Sequence, residues 1–419
     1  MNNDNPANGD QDAGACPDVD AVPTRLPIDK FPHQPQRSGG NIPFTIQNLR
    51  HMLAGYGIDL RWDVIKKRNQ YSQNGKTIAQ SDIISLANLN GLYHGRIDDF
   101  LNTIAQENPV NPAKQWIESV PWDGKDRLTA FQATVKVQPD FPQSLADILL
   151  RRWLLSVVAA ALSETEFRSR GVLTLQGGQG IGKTSWIAKL VPPDLVKLDH
   201  HLDASNKDSI LLATGHWIVE IGELDSSFRK DVARLKGFLT APHDKIRPPY
   251  GRSAIEMGRR TVFAASVNDS NFLVDQTGNS RWWTIPCEKL DFQHEIDLQQ
   301  VFAQLAKDYR QGEQWWLTPD EEAQLEEQNK RFQWVSVIEE QILERAQPDG
   351  QYGKYMTARQ VLIELGFSNP TNAQCKEAGA VLRSIYGEPK RVNGRTQWKV
   401  YLRSSAQVWH REEPDPNEY

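Results

Sequence analysis

The stretch GVLTLQGGQGIGKTSW, residues 171–186, constrains this chain more than any other part of it. An apolar, strand-like run leads into the pattern G-x-x-x-x-G-K-T from Gly177 to Thr184, and a helix-like segment follows, which is the context a phosphate-binding loop requires. Gly177, Gly180 and Gly182 let the backbone turn its amides toward phosphate oxygens, and the helix start adds its dipole. The loop Gly177, Gly178, Gln179, Gly180, Ile181, Gly182, Lys183, Thr184 and Ser185 is therefore expected to hold the triphosphate of ATP. Lys183 would bridge the β and γ phosphates, and Thr184 would offer its hydroxyl to Mg²⁺. A glycine loop that merely turns a strand into a helix is the bland alternative. Lys and Thr in register weigh against it.

A P-loop enzyme also needs a carboxylate near the end of a neighbouring strand, to hold the metal's water shell and polarise the attacking water. HWIVEIGELD supplies Glu220 and Glu223 behind Trp217, Ile218 and Val219, where an acid is costly without a metal or cationic partner. The two are assigned to metal and water jointly, the division of roles left open, with Thr184 and Glu220 as the metal-side oxygens. The next apolar run, TVFAASVNDS, ends in Asn268, whose amide could orient water and sense the γ phosphate, or could simply make a turn. In DQTGNSRWW, Arg281 stands between a glycine turn and two tryptophans. It is either a guanidinium presented to a neighbour's nucleotide or a stack on Trp282 or Trp283.

Around this centre the chain divides by pattern. A length of 419 residues suggests two or three domains. Residues 1–40 are rich in Asn, Asp, Gly, Pro and Gln and are expected to form a disordered tail. Helical spacing of Ile46, Leu49, Met52 and Leu53 opens a mainly helical domain over 41–135. Residues 136–317 alternate short apolar runs with helix-like stretches, an α/β rhythm with buried strands. A charged helix, with Pro319 in its first turn, fills a linker over 318–347. Over 348–404, two helices precede strand-like PKRV and TQWKVYL, joined by Asn393 and Gly394, a two-residue hairpin signal. That order suggests a winged helix, and residues 405–419 are expected to form a loose tail.

Composition excludes several classes. The three cysteines, Cys16, Cys287 and Cys375, are too few and too scattered for a disulfide framework or a zinc cluster. No apolar run approaches the roughly 20 residues needed to span a bilayer, and MNNDNPANGDQD has no signal-peptide pattern, so a cytoplasmic protein with no membrane partner is expected. A formal charge of −5 argues against coating nucleic acid by bulk charge. DNA contacts must then come from local basic patches. One is KIRPPYGRSAIEMGRR, where Lys245, Arg247, Tyr250 and Arg252, with Arg259 and Arg260 behind them, suit a projecting loop that tracks single-stranded DNA. The other is the proposed wing, with Lys390, Arg391, Arg395 and Lys399 for duplex phosphates. A solvated hairpin and a protein-docking wing are the plain alternatives.

Taken together, PWDGKDRL, QGGQGIGKTSW, WIVEIGELD followed by LKGFLT, KIRPPYGR and NFLVDQTGNSRWW occur in the order seen in the virulence-associated E family, which this chain resembles over most of residues 110–290. The ATPase domain of that family is related to the superfamily 3 helicases of viruses, plasmids and phages. The resemblance implies an AAA+ fold assembled as a homo-oligomeric ring, a hexamer, with the site between subunits and a hairpin facing the pore. It implies Glu220 and Glu223 as Walker B acids, Asn268 as sensor, Lys245 to Arg252 as pore hairpin and Arg281 as trans-acting finger. Family members commonly carry a second arginine beside the matched one, where this chain has Ser280. No clustered acidic motif precedes the P-loop, so any priming would come from a separate primase. The expected activity is ATP-driven DNA translocation or unwinding in the replication of a phage or mobile element. The alternatives are a loader or remodeller of a protein partner, and an ATP-gated defence or virulence effector.

Overall fold

The computed structural model describes residues 24–37, 40–92, 95–222, 232–246, 255–273, 279–347, 353–392 and 394–403. Its first unit comprises α1 (Ile46–Gly55), β1 (Ile58–Asp63), β2 (Arg68–Gln73), β3 (Lys76–Thr77), α2 (Gln80–Leu89), α3 (Ile97–Gln106) and β4 (Pro109–Val110). The strands form one sheet in the order β3-β2-β1-β4. Helical residues still outnumber strand residues here, and the four-stranded sheet is what the expectation of a mainly helical domain did not include. Ile58, Leu60 and Trp62 alternate inward along β1, a period-2 signal, whereas the partner strand RNQYSQ is almost wholly polar and carries little strand signal of its own. The expected disordered tail is also too long. Residues 24–37 are folded, with Phe31 buried among Leu49, Met52 and Leu53 and the Leu26 amide donating to Asn90 Oδ1 at 2.9 Å. Residues 1–23 and 404–419 lie outside the described residues.

The central unit contains α4 (Pro112–Ile117), α5 (Leu128–Gln132), β5 (Val135–Val137), α6 (Gln143–Leu162), β6 (Val172–Gln176), α7 (Lys183–Lys189), β7 (Val196–His200), α8 (Lys207–Thr214) and β8 (Ile218–Ile221). After these come α9 (Val232–Leu239), β9 (His243–Ile246), β10 (Ile255–Gly258), β11 (Val262–Val267), β12 (Trp282–Leu290), α10 (Leu298–Arg310) and α11 (Pro319–Asn329). Its main sheet runs β5-β12-β6-β11-β8-β7, parallel except for the antiparallel edge strand β5. Both faces are covered, so β6 and β8 are buried at every position and read as unbroken apolar runs. Leu173, Leu175, Ile218 and Ala264 face α6 and α10, and Val172, Val219, Phe263 and Ala265 face the α8 and α9 side. The mixed α/β layering agrees with a nucleotide-binding fold. Ala113, Ile117, Leu128 and Phe131 belong to this same core, so the boundary expected at residue 135 falls inside it.

The linker is not one helix. It breaks after α11 into a short 3₁₀ turn, Lys330–Phe332, and resumes as α12 (Val337–Arg345), capped by Ser336. Ile338 and Ile342 of α12 enter the core of the last unit, with Val361, Leu362, Val381, Leu382 and Trp398. That unit continues with β13 (Lys354–Met356), α13 (Ala358–Glu364), α14 (Asn372–Tyr386), β14 (Lys390–Val392) and β15 (Arg395–Val400), its sheet ordered β13-β15-β14. Val392 pairs with Arg395 across a two-residue turn whose Gly394 has φ 73°, as a primed hairpin turn demands. Asn393 lies outside the described residues.

Trp153 of α6 ties the helix to the sheet: it is fully buried, and its Nε1–H donates to the Phe263 carbonyl at 2.8 Å. Trp153→Ala should lower unfolding free energy by about 3–5 kcal/mol, read from the denaturant midpoint. A midpoint unchanged from wild type would contradict this packing.

Candidate phosphate-binding site

The site is built where β6 ends. The chain leaves Gln176, turns through Gly177 at φ 154°, Gly180 at φ 84° and Gly182 at φ 98°, and enters α7 at Lys183. Glycine is obligatory at two of these for a second reason. A Cβ on Gly177 would meet the Cys287 carbonyl oxygen at 2.5 Å, and one on Gly182 would meet the Phe292 ring at 2.6 Å. Gly178 and Gly180 instead face open space, the side on which a phosphate could approach the backbone. The Gly177 amide itself is taken by the Val267 carbonyl at 3.1 Å, so the loop is pinned to β11 at its start.

Lys183 is buried, and its ammonium donates to the carbonyls of Gly177 at 2.7 Å and Gly178 at 2.8 Å and to Asn268 Oδ1 at 2.8 Å. Burial holds its pKa below that of a free lysine. Three neutral oxygens compensate the charge only in part, which leaves this ammonium disposed toward an anion. The Cys287 thiol nearby is pushed up to about 12 by burial, so it is a neutral packing group rather than a reactive thiolate.

The Thr184 hydroxyl donates to Glu220 Oε1 at 2.7 Å, and the Asp199 amide reaches Glu220 Oε2 at 3.3 Å. Glu220 has no solvent exposure, and among the described residues no lysine or arginine forms an ion pair with it. A buried carboxylate against a hydroxyl is a hard-oxygen pair that suits a magnesium ion, which takes few protein ligands and fills its octahedron with water and phosphate. Asp199 was not foreseen. Among the described residues it is one of three non-glycine residues with positive φ, at 48°, and a Cβ on Gly222 would fall 1.9 Å from its Oδ1. Its only sequence signal is that Asp tolerates the left-handed region, too weak to single it out.

The structure thus brings together Lys183 and Thr184 of α7, Glu220 of β8 and Asn268 after β11, from three separate segments. Glu223 lies outside the described residues, as do Arg247, Tyr250 and Arg252. Arg281 is not part of this cluster. It ends the 3₁₀ turn Asn279–Arg281 just before β12, and Trp282 pairs with Val172. By that register it stands six residue steps below Gly177, roughly 20 Å at the spacing of a parallel strand. Its side chain is half-buried, and its Nε has no hydrogen-bond partner among the described residues.

Of the basic loop, Lys245 is exposed on β9 opposite Glu256 of β10. Arg259 and Arg260 do not belong to a nucleic-acid surface. Arg259 is buried on Asp244, and Arg260 donates to the carbonyls of Ala160, Ala161 and Ser163 at the end of α6. In the last unit Lys390, Arg395 and Lys399 share one sheet face, by the pairing of Lys390 with Gln397 and Val392 with Arg395. Arg391 pairs with Thr396 and lies on the opposite face. All four are exposed.

Comparison with known proteins gives one family and a set of solved structures. The family model described as Virulence-associated protein E-like domain matches residues 117–334, from the end of α4 to just past the 3₁₀ turn after α11. An apo structure of the NrS-1 C-terminal region is 14% identical, with 85% of this chain and 98% of that one covered and a TM-score of 0.37. An A-form apo structure of the same region is 15% identical, with 85% and 99% covered and a TM-score of 0.40. No curated protein matches the sequence.

Gly177→Ala should weaken binding of a fluorescent ATP analogue at least about tenfold while the fold, followed by circular dichroism, stays intact. Wild-type affinity in this variant would contradict a phosphate cradle at this loop.

Proposed function

The chain belongs to the virulence-associated protein E-like family, and on that footing we propose that it is an ATP-hydrolysing DNA translocase or helicase in the replication of a phage or mobile element. The observation that carries the reading is the meeting of the Thr184 hydroxyl with the buried Glu220 carboxylate at 2.7 Å, beside a Lys183 ammonium held by Asn268 at 2.8 Å. Thr184 and Glu220 would hold Mg²⁺, which supplies charge neutralisation on the phosphates. Lys183 and the amides of 178–185 bind the β and γ phosphates. Asn268, already on Lys183, senses the γ phosphate, and Glu220 with Glu223 divides metal holding and water polarisation.

The strand order β12-β6-β11-β8-β7, with the P-loop strand between the last strand and the Asn268 strand, supports an AAA+ core. Arg281 stands about 20 Å below its own loop, which supports a role toward a neighbouring subunit's nucleotide rather than its own, and with it a ring, most simply a hexamer. Helix, strand, two helices and a hairpin in the last unit support a winged helix, with Lys390, Arg395 and Lys399 on one face toward duplex phosphates. Lys245, with Arg247, Tyr250 and Arg252, is assigned to single-stranded DNA in the pore.

Single-stranded DNA should raise the ATPase rate of the wild type severalfold or more, and Lys245→Ala/Arg247→Ala should lose the stimulation but keep the basal rate. Indifference to DNA in both proteins would sink the translocase reading and favour a protein remodeller. Lys183→Ala and Arg281→Ala should each be inactive alone, yet regain part of the activity when mixed, because some interfaces then pair an intact loop with an intact arginine. A mixture as dead as its parts would remove Arg281 from the reaction.

A further inference from the structure

Asp244 on β9 is a buried acid outside the phosphate site, with its side chain 1% exposed, and two cations from different parts of the chain converge on it. Arg259, at the root of β10, places Nε at 2.8 Å and Nη2 at 2.5 Å from Oδ1. The same guanidinium donates to the Phe238 carbonyl and lies 4.4 Å over the Phe238 ring. Those contacts are local to the central unit. The second cation is not: Lys67 belongs to the turn between β1 and β2 of the first unit, and its Nζ sits 2.5 Å from Asp244 Oδ2 with its own side chain 1% exposed.

The hairpin has two faces. Cross-strand pairing sets Asp244 beside Met257 on one, and Lys245 beside Glu256 on the other. Met257 packs against the apolar core of the first unit, while Lys245 and Glu256 are exposed. The turn that delivers Lys67 is itself fixed. Lys67 adopts φ 52°, and the buried Asp63 carboxylate accepts from the amides of Ile65 and Lys66 at 2.9 Å and from Gln70 Nε2 at 2.6 Å. A left-handed lysine whose amine is fully buried is costly in backbone and in solvation, and it persists only where surroundings over-determine it. Asp244 is already matched by Arg259, so Lys67 is not needed to neutralise it. The extra cation reports a requirement for attachment rather than for charge balance.

We propose that Lys67 is a positioning residue through which the first unit clamps the β9–β10 hairpin, setting the pose of the exposed Lys245 face. The consequence for DNA rests on the functional reading above; the clamp itself does not.

The test is amide hydrogen exchange on the full chain, wild type against Lys67→Met, which keeps the length of the side chain and leaves Asp244 paired with Arg259. Amides of 243–246 and 255–258 should exchange at least tenfold faster in the variant, with β6 and β11 unchanged. Unchanged hairpin exchange would overturn the clamp. Acceleration spread equally through β6 and β11 would make Lys67 a general stability residue and overturn it as well. ATPase assays on the same two proteins separate the second question. Loss of DNA stimulation in Lys67→Met, at an unchanged basal rate, supports the clamp as part of DNA coupling. A loosened hairpin in a chain whose wild type ignores DNA upholds the clamp and sinks the translocase.

Discussion

The hydrogen bond from Thr184 to Glu220 is the contact on which the rest of the molecule turns, because it can form only if three things are true at once. The strand β6 must end in a loop tight enough to start a helix at Lys183, the strand β8 must bury an acid within an apolar run, and both must be parallel to β11 between them. Glycines at 177 and 182 satisfy the first by conformation and by lack of room for a Cβ. A carboxylate wholly out of water, with a hydroxyl and one amide for partners, satisfies the second at a cost that a cation would offset. The sheet satisfies the third through packing on both faces.

The same register separates two ends of the sheet. At the carboxyl ends of the strands lie the P-loop, Glu220 and Asn268. At the amino ends lie Arg281 and the root of the β9–β10 hairpin. β11 joins them directly: Arg259, which holds the hairpin base, precedes it by three residues, and Asn268, which holds Lys183, follows it by one. Six residues of largely buried strand, about 20 Å, form a stiff link between the glycine-loop end and the hairpin end. A change at Lys183 that moves Asn268 has a short covalent path to the hairpin, and Lys67 gives the hairpin a fixed point to move against.

Much of the site was legible in the sequence because its signals are local. Spacing alone marks the P-loop, and an acid or amide that closes an apolar run marks Glu220 and Asn268. What was missed depends on contacts between distant segments. Nothing in RNQYSQ announces a strand until Ile58, Leu60 and Trp62 supply its partner. Arg259 and Arg260 read as part of a basic loop, yet one is buried on Asp244 and the other on the carbonyls ending α6, because charge in a sequence does not say which side of a hairpin it takes. Phe31 and Leu26 draw residues 24–37 out of an otherwise polar tail, and two apolar anchors are too sparse a pattern to be read in advance. Asp199 and Lys67 owe their places to left-handed backbone turns, which only the folded chain displays.

The central claim is that Thr184 and Glu220 form the metal-side half of an ATP-hydrolysing site, and the most direct measurement is ATP hydrolysis as a function of Mg²⁺ in wild type and in Glu220→Gln. The account predicts hydrolysis by the wild type that requires Mg²⁺, and a loss of at least about a hundredfold in Glu220→Gln with nucleotide still bound. A Glu220→Gln variant that turns over at the wild-type rate would contradict it.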